Sequence, residues 1–443
     1  ANVQDIYPLA PLQEGILFHH QLAGKGDTYI LPTLLKLDSA AHLDAFIAAL
    51  QRVVDRHDIL RSSMVWRGLD RPVQVVHRHL GLPLDTFHLD ARRDARQQLD
   101  ERIAPECLRF DLQQAPLLRL QKAPDPHSSQ WYLVLLLHHI VSDHVSLEIL
   151  VAEVFAMLAG QEALLPAPLA YRGFVAQALA SLGQSDAEAY FRERLADVDE
   201  PTAPFGLLDV HGDGSALDEA RAELPQPLAT ALRQTARRRQ ISVAALFHAA
   251  WAQVLAQCSG RDDIVFGSVL SGRLQGTAGA DRVLGMFINT LPLRLPLAGA
   301  SVAQAVESTH RELINLLRHE QASLALAQRS SGVASTTPLF SAVLNFRHSA
   351  LGEPPKGTGI ELIASHERTN YPFTLSVDDL GSGFALTAQT ESYIGASRIN
   401  AWVENALRSL IEALETTPEK PILALPILTP EERHHLLATL NAF

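Results

Sequence analysis

Two cysteines, Cys107 and Cys258, are all that 443 residues contain, and they lie far apart, outside any CxxC spacing. That scarcity argues against a disulfide framework and thiolate metal sites, and it sets the expectation of a reducing, cytoplasmic setting. Basic charge is also short: 37 Lys and Arg against 49 Asp and Glu leave a net charge of −12. A surface of that sign is a poor partner for nucleic acid or an anionic membrane. No apolar run approaches a membrane span, and the N-terminus lacks the basic-then-apolar layout of a signal peptide. The chain opens at Ala1 without Met, which reads as a piece excised from something longer. What it has in plenty is apolar residues, 47% of the total, ample at this length for two cores.

One stretch concentrates the chemistry: WYLVLLLHHIVSDHVSLEIL, Trp131–Leu150. Its aromatic and branched start reads as a strand buried on both faces, from Trp131 to about Leu137. His138 and His139 follow at the strand end, where alternation points their side chains in opposite directions. Ser142 is expected to cap the next helix, with Asp143 and His144 in its first turn. Three readings stand side by side. The histidines are core residues beside a capped helix, or an imidazole is held for catalysis with Asp143 in a charge pair. The third is a metal drawn to His138, His139, Asp143 and His144, which the opposed directions make awkward.

Elsewhere the chain alternates. Residues 1–30 begin extended, then turn helical from about Pro11 to near Gly24, with His19 and His20 toward the helix end, where the dipole favours them. Leu31–Leu37, Ser62–Trp66, Val73–His77 and Leu117–Lys122 read as strands and His42–Val54 as an amphipathic helix, giving an α/β lobe that ends near Pro168. A helical segment, Tyr171–Leu195, leads out of it, and Asp197–Ser215 reads as a surface connection. In the second half Leu228–Gln240, Ser242–Cys258, Ser301–Leu317 and Ser397–Leu414 read as helices. Asp263–Leu270, Pro338–Phe346, Tyr371–Asp378 and Gly383–Thr390 read as strands, and Leu284–Leu295 as a strand pair or strand-loop. Ser271, Asn289 and Asn345 are polar groups at the ends of buried strands, for which a satisfied hydrogen bond is the plain reading.

The segment His138-His139-Ile-Val-Ser-Asp143 resembles the His-His-x-x-x-Asp-Gly signature of condensation domains in non-ribosomal peptide synthetases. Companion segments run in family order. YPLAPLQEGILF (7–18), RHDILR (56–61), YRGFVAQ (171–177), LGMFINTLPLRL (284–295) and TPLFSAVLNFRH (337–348) are similar to further family motifs, and HEQASLALA (319–327) more loosely so. HHQLAGKGD (19–27) resembles the extra His-His motif of the dual epimerisation/condensation subtype, with Gln21 in place of Ile or Leu. Position 144 departs from the signature, with His where the family has Gly.

The resemblance implies an α/β fold of two chloramphenicol-acetyltransferase-like lobes, a V-shaped pseudo-dimer around a central tunnel. The lobes are expected at 1–175 and 176–425, with 426–443 starting a linker to a following adenylation domain. No cofactor or metal is implied in the chain itself; phosphopantetheine on upstream and downstream carrier domains brings the substrates. The implied reaction is amide formation between a peptidyl or acyl thioester donor and an aminoacyl acceptor, after L-to-D epimerisation of the donor's last residue. The setting would be secondary metabolism, such as antibiotic or lipopeptide biosynthesis. His139 becomes the reacting imidazole and His138 its buried neighbour, with His19 and His20 a second set for epimerisation. Asp143 becomes an anchor paired with Arg273 or Arg61, and His144, Ser271, Asn289 and Asn345 line the substrate path. The rival readings are condensation alone with a D-configured donor, a carrier-docking scaffold without catalysis, and a metal hydrolase using His138, Asp143 and His144.

Overall fold

Amphipathic helices set against largely buried strands divide the chain into two layered lobes. The structure, a computed structural model, describes residues 2–22, 26–184, 186–210, 217–273, 279–348, 357–365, 369–435 and 437. The first half contains β1 (Val3–Pro8), α1 (Pro11–Leu22), β2 (Ile30–Leu37), α2 (Ala40–Arg56), β3 (Ser62–Val65), β4 (Val73–His77) and β5 (Leu84–Thr86). Next come α3 (Ala95–Arg102), β6 (Leu118–Pro124), β7 (Trp131–His138), α4 (His144–Leu158), α5 (Tyr171–Gln184) and α6 (Ala187–Leu195). The second half runs β8 (Leu217–Glu223), α7 (Gln226–Arg239), α8 (Val243–Ser259), β9 (Asp263–Leu270), β10 (Asn289–Pro296), α9 (Val302–Leu317) and α10 (Leu324–Arg329). It closes with β11 (Ala342–His348), β12 (Ile360–Ser365), β13 (Phe373–Asp379), β14 (Phe384–Glu391), α11 (Ala396–Thr416) and α12 (Pro430–His434).

The first lobe rests on a five-stranded sheet ordered β12-β2-β7-β6-β5, with β1-β4-β3 as a smaller sheet beside it. The second rests on a six-stranded sheet ordered β10-β9-β11-β13-β14-β8. Each lobe has its own hydrophobic core, so the two-lobed α/β architecture implied by the sequence is present. Among the described residues no single helix is long and apolar enough to cross a membrane.

The entry segment is extended as expected, and it is a paired strand, β1 against β4. Several other expectations need correction. The helix expected over Tyr171–Leu195 is two helices, α5 and α6. In Leu284–Leu295 only the part from Asn289 onward is a strand, while Val283, Leu284, Met286 and Phe287 pack into the core of the first lobe. β12, unforeseen, crosses from the second half to pair antiparallel with β2. The first core is therefore not drawn from residues 1–175 alone.

Candidate active site

β7 sits in the middle of its sheet, with every residue from Leu133 to His138 buried. It delivers His138 as its last residue, and a 3-10 turn, His139–Val141, follows at once. The expected cap is shifted by one. Asp143, not Ser142, is the N-cap of α4, its carboxylate accepting the Ser146 N–H at 2.8 Å. Ser142 instead ends the 3-10 turn, its N–H bound to the His139 carbonyl.

His138 is fully buried. Its Nδ1 accepts the Ile140 N–H at 3.0 Å, so the proton of the neutral ring sits on Nε2, which donates to Asp27 Oδ2 at 3.1 Å. The same oxygen lies 2.8 Å from His20 Nδ1. Burial alone would raise the Asp27 carboxyl, but the hydrogen bonds from His138 and His20 outweigh it and hold the group well below the usual carboxylate range. Burial pushes the His138 pKa down, and Asp27 only partly offsets it. The two directions agree on an ionised Asp27 facing a neutral His138. His20, Asp27 and His138 also form the one grouping of metal-ligand atoms among the described residues. They suit an ion poorly, since the His138 lone pair is committed to Ile140 and its Nε2 carries hydrogen. The metal set of His138, Asp143 and His144 is not brought together.

His139 points elsewhere. Its Nδ1 lies 2.9 Å from the Ser142 carbonyl, which can only accept, so in the neutral ring the lone pair resides on Nε2. The ring lines a cavity of about 790 Å³ between the lobes. From the first half of the chain Leu12, Phe18, His19 and Tyr29 contribute walls; from the second half Met286, Ile288, Asn289, Phe340, Asn345 and Tyr371. Among the described lining residues Glu14 is the only Asp, Glu, Lys or Arg. Burial raises the Tyr371 phenol to about 12, keeping it a neutral donor.

Asp143 is fully buried and bound to Arg273, whose Nη2 reaches its two oxygens at 2.8 and 3.0 Å. The guanidinium also donates to the carbonyls of Ala280 and Val283 and lies over the Phe287 ring, 3.8 Å from its centroid. Ser146 Oγ donates to the Gly285 carbonyl at 2.7 Å, and the Gly285 N–H donates back at 2.9 Å. The Asp143–Arg273 pair and Ser146 thus join the start of α4 to the irregular segment before β10. Arg61 is not its partner: it is buried at the edge of the small sheet, donating to Gln4 Oε1 and to the carbonyls of Val54, His77 and Arg78.

The structure divides the other sequence candidates. His19 lines the cavity, whereas His20 is buried against Asp27. Asn289 lines it while donating to the carbonyls of Glu320 and Ala322 at 2.7 and 2.6 Å, and Asn345 lines it from β11. His144 and Ser271 are not among the lining residues. His144 lies over Glu148, 3.3 Å away, and Ser271 Oγ accepts the Arg273 N–H. Residues 23–25 of the N-terminal His-His motif lie outside the described residues, as does the tail at 436 and 438–443. Asp27 is the residue that reading the sequence undervalued. It stands last in that motif, but only the fold shows that it meets His138, 111 positions away.

A family model described as a condensation domain matches residues 3–437. Malpinin synthetase of Mortierella alpina is 45% identical over 445 residues, covering 100% of this chain and 6% of that protein. Malpibaldin synthetase of the same fungus is 43% identical over 440 residues, covering 99% of this chain and 8% of that protein. The chain thus spans less than a tenth of the length of these relatives. A four-domain nonribosomal peptide synthetase bound to AMP and glycine shares the fold with a TM-score of 0.78 at 16% identity, over 97% of this chain and 34% of that one. The first condensation domain of the calcium-dependent antibiotic synthetase, in complex with a substrate analogue, does so at 0.73 and 19% identity, over 97% and 100%. With the strand-end histidines, the buried Asp143–Arg273 pair and the cavity between two lobes, the match over nearly the whole chain shows that it belongs to the condensation-domain family.

Proposed function

We propose that the chain forms an amide bond between a peptidyl or acyl thioester donor and an aminoacyl thioester acceptor. Each substrate arrives on the phosphopantetheine of a partner carrier domain, and the chain needs no cofactor of its own. The observation that carries the reading is the tautomer of His139: Nδ1–H is turned to the Ser142 carbonyl, which puts the basic lone pair of the neutral ring on Nε2. The acceptor amine attacks the donor carbonyl, the new C–N bond forms, the C–S bond breaks, and the amine proton passes by way of His139 to the departing thiolate. Holding two tethered reactants face to face is worth roughly 7 kcal/mol or more of the barrier. Proton transfer adds a factor of about 10²–10⁴. A cavity wall poor in charge supports the same chemistry, because lost hydration lowers the pKa of an incoming ammonium and favours the nucleophilic amine.

The finer reading is that the donor's last residue is first epimerised from L to D. It is supported by the His19-His20…Gly26-Asp27 motif and by His19 on the cavity wall, a second imidazole beside His139. The simpler reading, condensation of a donor that arrives D-configured, is favoured by His20 being turned to Asp27. An L-configured peptidyl thioester on the upstream carrier, turned over in deuterated water, separates the two. A D-configured, labelled product is expected; retained L configuration without label leaves condensation alone. His139→Ala should abolish amide formation in a folded protein, and unimpaired turnover there would overturn the whole reading.

A further inference from the structure

Asp27 and Tyr29, just ahead of β2, hold the turn after β7 by side chain and backbone together. Asp27 Oδ2 accepts from His138 and His20, and its Oδ1 accepts the Tyr29 N–H at 3.1 Å. The Tyr29 carbonyl in turn accepts the His139 N–H at 2.7 Å. His138 Nδ1 accepts the Ile140 N–H, so the backbone is gripped on both sides of His139. From behind, Arg109 donates to the carbonyls of His20 and Gly26, each at 3.0 Å. Asp27, His20 and His138 are all buried, and none of them lines the cavity, although His19 does. A buried carboxylate is costly to desolvate, and two of the three bonds this one makes, to His138 and to the Tyr29 N–H, lead toward the turn that carries His139, while the third is to His20 of α1.

We infer that Asp27, held by His20, is a positioning residue for His139, so that this pair of the N-terminal motif serves amide formation itself and not only the inversion of a donor. Through His138 and Tyr29 it sets the direction of the His139 ring toward the reacting amine. Ring misplacement of about 1 Å costs on the order of a hundredfold in rate. The inference rests on His139 as the reacting imidazole.

The test uses the protein with its carrier domains and a donor already in the D configuration, so that no inversion is needed. Rates are expressed per folded molecule, with the folded fraction taken from denaturation of each sample. Asp27→Ala and His20→Leu are expected to lower kcat for amide formation about 10- to 100-fold, with KM for either carrier within about twofold. His20→Asn, whose amide nitrogen stands where Nδ1 stood, is expected to recover to within about threefold of the native rate. Should Asp27→Ala fail to fold, the His20 pair decides. An undiminished amide rate from the D donor in the folded variants overturns the inference, whether or not inversion is lost. So does a loss that only follows the folded fraction, or His20→Asn no better than His20→Leu. His139→Ala runs in parallel. If it is inactive while Asp27→Ala is fully active, this inference alone fails; if it is fully active, the reading of the site fails too.

Discussion

His138 and His139 are the same residue one position apart, and their surroundings give them opposite work. His138 is sealed among Asp27, His20 and Phe110, where burial keeps it neutral and both ring nitrogens are bonded. His139 turns its protonated nitrogen to a backbone carbonyl and its ring to the cavity. His144 shows how weakly a motif letter constrains chemistry by itself. It stands in the Gly position of the family signature, yet it begins α4 and lies over Glu148, away from the lining residues. His144→Gly is therefore expected to leave the amide-forming rate within about twofold of native. It should cost at most about 1 kcal/mol of stability through lost helix propensity. A rate assay beside urea denaturation checks both, and loss of turnover in the folded variant would place His144 in the chemistry.

At the scale of the element, α4 and α8 each carry a buried polar group that sets a condition on folding. The Asp143 cap of α4 is an ion in the interior, tolerated because Arg273, Ser146 and the Phe287 N–H satisfy it. α8 carries His248, which donates from Nδ1 to the Ala244 carbonyl at 2.7 Å and accepts the Ser268 hydroxyl at Nε2, 2.9 Å away. Burial lowers its pKa from the ordinary 6.5 to about 4. Between those values the unfolded chain binds the proton and the folded chain does not. The contribution of His248 is thus complete above pH 6.5 and is lost as pH falls toward 4, by at most roughly 3 kcal/mol. Urea denaturation at pH 7.5 and pH 5 measures the fall, and His248→Asn is expected to flatten that slope by about one proton. An unchanged slope would mean that the ring is protonated in the fold.

On the scale of the molecule, two segments of the second half, among the described residues, pack onto the first lobe. One is β12, a strand from the second half added to the edge of the first sheet beside β2. The other is the segment before β10, where Gly285 lies so close to Tyr171 that a Cβ there would come within 2.2 Å of the ring. The Tyr171 hydroxyl donates to the next carbonyl, Met286, and Phe287 packs against Phe174. Gly285→Ala must push this segment off the first lobe and away from Asp143. We expect about 1–3 kcal/mol of lost stability, with amide formation falling more than stability does. Denaturation and a turnover assay on the same sample separate the two effects; an unaffected variant would show that the segment yields without consequence.

The order of most elements, the presence of two cores and the candidate histidines at the strand end were legible because they depend on neighbours in the chain. Buried strands announce themselves by apolar runs, Ser242 and Ser301 by the helices they cap, and His138-His139-…-Asp143 by spacing at a strand end. Other features were not legible because they depend on residues far apart in sequence. Arg273 rather than Arg61 as the partner of Asp143, Asp27 beneath His138, and β12 in the wrong half's sheet are all choices made by packing. A charge or a strand edge in a chain advertises a need for a partner, but many residues could meet it. Which one does is decided only when two cores close against each other, because a buried ion or an open edge is costly until its own partner arrives.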